Sequence, residues 1–87
     1  MRTRKQPKLK EIDLSKCSMK EGGYHEHSDI SSKKQYLAKI GGRFFAGTFS
    51  REWYGWTFDG WCGVSGMQLD KPGTNASTWQ RLWEIIP

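Results

Sequence analysis

Between Gln35 and Leu69 the chain alternates apolar and polar positions, interrupted at short intervals by turn-forming residues. This period of two is the mark of half-buried strands in an antiparallel sheet. QYLAKI (35–40) reads as a first strand and RFFAGTF (43–49) as its return. Gly41-Gly42 between them fits a two-residue hairpin turn, which needs positive φ at both central residues. Ser50-Arg51 reads as a second tight connection into EWYGWTF (52–58), and Asp59-Gly60 as a third. WCGVSGMQL (61–69) then reads as a fourth strand, ended by Pro72-Gly73. Since short turns join neighbours in space, the pattern predicts a four-stranded antiparallel meander over about 35–69.

The two ends of the chain are patterned differently. In STWQRLWEIIP, Trp79, Leu82, Trp83 and Ile86 recur at the i, i+3, i+4, i+7 spacing of an amphipathic helix, and Ser77 with Gln80 fits a capping box. Trp79, Arg81, Trp83 and Ile85 equally define one side of a strand. The reading favours a short C-terminal helix packing on the sheet, with a fifth strand as the alternative. Before Gln35, residues 1–7 are cationic without apolar periodicity, KLKEIDLSKCSM is too short to assign, and KEGGYHEHSDISSKK (20–34) reads as loop. The expected fold is therefore mainly β to α+β. A basic, partly disordered arm and loop (1–34) precedes an aromatic-rich sheet domain (35–87).

Aromatic residues sharpen this picture. Eight fall between Phe44 and Trp61, each able to bury about 150–250 Å². Strict alternation puts Phe45 and Phe49 on one side of their strand with Phe44 on the other. It likewise puts Tyr54, Trp56 and Phe58 opposite Trp53. Rings on both faces require that the face carrying Phe45, Phe49 and Trp53 be capped by Trp79 and Trp83, or else be left for a partner.

Charge points to a class of partner. The chain carries a net +5, and the excess lies wholly in residues 1–40, with ten basic against five acidic side chains. A polyanion is the natural counterpart. The first expectation is thus a small nucleic-acid-binding module. Arg2, Arg4, Lys5, Lys8 and Lys10 would track phosphates, Lys39, Arg43 and Arg51 would contribute from the sheet, and Phe45, Trp53 and Trp61 would stack on bases. A protein-binding module, such as a phage-like inhibitor or adaptor acting on a host enzyme or nucleoprotein complex, is the alternative, because Trp, Tyr and Arg dominate interface hot spots.

Other chemistries find little support. GRFFAGTF lacks the glycine that follows the basic residue in the RNP1 pattern, and neither Gly22-Gly23 nor Gly41-Gly42 sits in a phosphate-cradling loop. Cys17, His25, His27 and Cys62 are zinc-ligand types at the wrong spacing, and no oriented base accompanies either cysteine. No enzyme activity, metal or cofactor is expected. The basic opening leads into EIDLSKCSMKEGG and not an apolar stretch, so the expected setting is cytoplasmic, away from membranes.

Overall fold

The computed structural model describes residues 8–73 and 77–87. It is mainly β, with strands β1 (Lys8–Ile12), β2 (Ser18–Lys20), β3 (Tyr24–Glu26), β4 (Gln35–Ile40), β5 (Arg43–Glu52), β6 (Gly55–Gly60), β7 (Met67–Gln68) and β8 (Trp79–Ile86). Six form one antiparallel sheet in the order β1-β8-β4-β5-β6-β7, and β2 with β3 forms a separate hairpin. The meander is present as β4-β5-β6-β7. Its first turn is at Gly41-Gly42, where φ is +58° and +81°.

The other turns lie elsewhere than the sequence pattern indicated. Strand β5 continues through Ser50 and Arg51, which pair with Thr57 and Trp56. The reversal falls at Trp53-Tyr54, followed by Gly55 at φ +103°. The positive φ is taken by Gly55, the residue just after the two-residue loop and paired with Glu52, and not by a residue at Ser50-Arg51. Asp59 and Gly60 likewise stay in β6. Chain reversal occurs over 61–66, where the Gly60 amide donates to the Val64 carbonyl at 2.9 Å and the Gly66 amide donates to Asp59 Oδ1 at 2.7 Å. The fourth strand thereby shrinks to two residues. Gly47, opposite Gly60, admits the close approach of β6, since an added Cβ there would run into the Asp59 carbonyl and lie 2.8 Å from Gly60 Cα.

The C-terminal segment is a strand and not a helix. Strand β8 lies between β1 and β4 and is paired along both edges. Its helix-like spacing has a specific origin. Ile40 faces Trp79 and Lys39 faces Arg81, so Gln80 is the extra residue of a β-bulge. The bulge shifts the alternation by one, letting Trp79 and Leu82 point to the same side although they are three apart. Both are buried.

Residues 8–34, read from sequence as arm and loop, supply the edge strand β1 of the sheet and, from 13 on, a layer over its inner side. Asp13 caps a single 3₁₀ turn (Leu14–Lys16) by accepting from the Ser15 amide at 3.0 Å. Ile12, Leu14, Cys17 and Ile30 from this region join Tyr36, Ala38, Ile40, Phe49, Phe58, Leu69, Trp79 and Leu82 in one core. Phe49 is its centre: Trp79 stacks on it at 6.0 Å, while Tyr36 and Phe58 each approach to 5.1 Å. Trp79 also donates from Nε1 to the Gln68 carbonyl at 2.9 Å, satisfying its one polar atom.

Candidate functional site

One side of the sheet, called inner here, carries this core. The opposite, outer side is assembled from alternate residues of four strands, and their registers define three rows. Arg81, Lys39 and Phe44 form the first row. The second runs Glu11, Trp83, Leu37, Ala46, and the third Leu9, Ile85, Gln35, Thr48. Phe44 is 59% exposed and Leu9 53%, while Leu37, Trp83 and Ile85 are half-buried. An apolar strip therefore crosses the open face.

Its rings are ordered by charge. Phe44 and Trp83 lean toward each other over β4, with centroids 6.0 Å apart and planes at 31°. Lys39 Nζ lies 5.7 Å from the Phe44 centroid and the Arg81 guanidinium carbon 4.8 Å from that of Trp83. Lys39 and Arg81 are direct cross-strand partners, a like-charge pairing that is unfavourable alone. Glu11 offsets part of it, accepting from Arg81 Nε at 2.8 Å and Nη2 at 2.7 Å. That fork holds the Glu11 carboxyl below the usual carboxylate range and raises the Arg81 guanidinium. The result is two adjacent rings flanked by two cations, with a third charge, Glu11, at the border.

The residues selected from sequence are distributed differently. Lys39 lies in this patch, and Arg43 is exposed beside the first turn of the meander. Phe45 does not contribute: it points inward, half-buried against the core, with the 61–66 loop over it. Trp53 occupies the β5-β6 turn, 86% exposed, with the Tyr54 ring edge-on at 5.1 Å. Trp61 is 62% exposed, its amide donating to the Ala46 carbonyl at 2.8 Å. Arg51 faces inward beside Trp56 and pairs with Glu26. Lys8 and Lys10 are exposed on β1, opposite Ile86 and Glu84. Arg2, Arg4 and Lys5 lie outside the described residues.

The expected division of rings between the two faces of the sheet, with Phe45 and Phe49 opposite Trp56 and Phe58, also changes. Phe45, Phe49, Trp56 and Phe58 share the inner side, since Phe49 pairs with Phe58 and Arg51 with Trp56. Trp79 caps that side, whereas Trp83 stands on the other. Trp83 and Arg81 were not selected as site residues. The available signal was the strand reading of the C-terminal segment, which places Arg81, Trp83 and Ile85 together.

The histidines and cysteines serve separate surroundings. His27 is buried, with Nε2 2.7 Å from the Asp13 carbonyl and Nδ1 accepting from the Asp29 amide at 3.0 Å. The acceptor role of Nδ1 fixes Nε2 as the protonated nitrogen of a neutral ring. His25 Nδ1 lies 3.3 Å from Asp70 Oδ1. Cys17 is buried, which pushes its thiol up to about 11, and Cys62 is exposed. Among the described residues, no three His, Cys, Asp or Glu side chains converge as a metal-holding group, and no helix is long and apolar enough to cross a membrane.

No protein-family model, curated protein or solved structure matches this chain.

Proposed function

We propose that this protein is a small non-enzymatic binding module that takes single-stranded nucleic acid on the outer face of its sheet, in a cytoplasmic setting. The observation that carries the reading is the Phe44–Trp83 pair with Lys39 and Arg81 beside it. Rings on a sheet face, Phe44 exposed and Trp83 half-buried, offer stacking surfaces for unpaired bases, each worth about 1–3 kcal/mol. The opposed cations gain from an anion between them, and Arg2, Arg4 and Lys5 add positive charge to the same chain. Contiguous apolar strips of this kind are uncommon on surfaces without a partner. The test is fluorescence anisotropy with a labelled oligonucleotide across a salt series. Affinity should fall steeply with salt, and Phe44→Ala should weaken it by about 1–3 kcal/mol without lowering the melting temperature. Absence of binding at low ionic strength would remove the proposal.

One observation favours the protein-binding alternative. Trp53 projects from a hairpin tip with Tyr54 bracing it, the form of an anchor that inserts into a pocket on a partner protein. On that reading, Trp53→Ala abolishes retention of a protein partner from nuclease-treated extract and leaves oligonucleotide affinity intact.

A further inference from the structure

A second constellation lies on the inner side, away from the Phe44–Trp83 patch. The β2-β3 hairpin and the end of the β5-β6 hairpin border an open groove of about 510 Å³, within the volume range of small-ligand sites. Lys16 lines it from the 3₁₀ turn, Lys20 from the hairpin, and Arg51 and Trp56 from the sheet. Arg51 is fixed in two ways: it pairs with Glu26 across the groove, and its guanidinium carbon lies 5.6 Å from the Trp56 ring centroid. Trp56 is itself held by the edge of Phe49 at 6.5 Å. Glu26 offsets Arg51, which leaves the charges of Lys16 and Lys20 uncompensated among the groove-lining residues. His27 lines the groove with both ring nitrogens already engaged, so neither is free for a ligand.

We propose that this groove binds a nucleoside monophosphate. A phosphate monoester carries the charge that two mobile ammonium groups match, and a planar base stacks on the Trp56 indole or on the Arg51 guanidinium beside it. An uncharged aromatic would leave the lysines unmatched, and a bare inorganic anion would leave the Arg51–Trp56 surface unused. The site is independent of the outer face and of its proposed ligand.

The experiment uses the ¹⁵N-labelled full chain at low salt, with AMP, adenosine, inorganic phosphate and a short 5′-phosphorylated oligonucleotide as probes. AMP should shift the Trp56 indole N–H and the backbone amides of Lys16 and Lys20 saturably. Adenosine and phosphate should each bind at least about tenfold more weakly. The double variant Lys16→Ala/Lys20→Ala changes exposed side chains only and should lose AMP affinity by about tenfold or more, with its melting curve retained. Phe44→Ala should leave AMP binding unchanged. A silent Trp56 signal, or a double variant that binds AMP as well as the native chain, overturns the proposal. So does a response confined to a 5′-phosphorylated oligonucleotide, which would place a strand end there and not a free nucleotide.

Discussion

At the scale of single residues, packing separates the tryptophans into two kinds. Trp79 stacks on Phe49, meets the edge of Phe58 and donates its only polar hydrogen to the Gln68 carbonyl. Trp79→Ala should cost about 3–5 kcal/mol, enough in so small a domain to abolish the cooperative thermal transition. Trp53→Ala should change stability by no more than about 0.5 kcal/mol, since its ring is mostly in solvent. Gly47→Ala forces a methyl against the Asp59 backbone and should destabilise by about 1–3 kcal/mol through strain, read as a lower denaturation midpoint. The thiols divide the same way. A colourless disulfide reagent that releases a chromophore should detect Cys62 rapidly in the native chain at mildly alkaline pH. It should count the second thiol only in denaturant, because burial raises the Cys17 thiol to about 11 and blocks access. Two fast native thiols would contradict the placement of Cys17 in the core.

At the scale of elements, what could be read in advance depended on whether the deciding interactions were local. The β4-β5 hairpin was legible because its alternation and its Gly41-Gly42 turn are both contained in a short stretch. The β5-β6 turn was displaced because the glycine that absorbs the reversal follows the loop and does not lie within it. Strand β8 was obscured by its bulge, which gives Trp79 and Leu82 a helix-like separation on a sheet. Its central position comes from two distant strands, and nothing local records them. Amide hydrogen exchange checks this arrangement: β4, β5 and β8 should be the slowest to exchange, and β7 and the β2-β3 hairpin faster. Fast exchange throughout β8 would contradict its placement between β1 and β4. The Glu11–Arg81 pair also ties the edge strand β1 to β8. Because the folded carboxyl titrates below its ordinary value, its contribution is complete above the usual carboxylate range. It is lost as pH falls through the lowered value. Glu11→Gln should therefore flatten the acid side of the melting-temperature profile, by a small amount because both side chains are solvent-exposed.

At the scale of the whole molecule, the N-terminal third changes the account most. Ile12, Leu14, Cys17 and Ile30 are isolated among charged and small polar residues. No periodicity in that region announces a core contribution, yet Ile12 extends the inner side of the sheet from β1, and Leu14, Cys17 and Ile30 cover it. Once that side is covered, the inward rings of β5 and β6 serve folding, and the open surface is the one bearing Phe44 and Trp83. The aromatic richness and the basic half of the chain were legible from composition. Which face stayed open was not, since it depends on long-range pairing and on a second layer built from sparse apolar residues.

Chemical-shift mapping with a short single-stranded oligonucleotide tests the central claim most directly, because it reports the face used and not only the affinity. The Phe44 ring, the Trp83 indole and the amides of Leu37, Lys39 and Arg81 should shift together and saturate together. Shifts confined to Trp53 and Tyr54 at the hairpin tip, or no shifts at low salt, would contradict the outer face as a nucleic-acid platform.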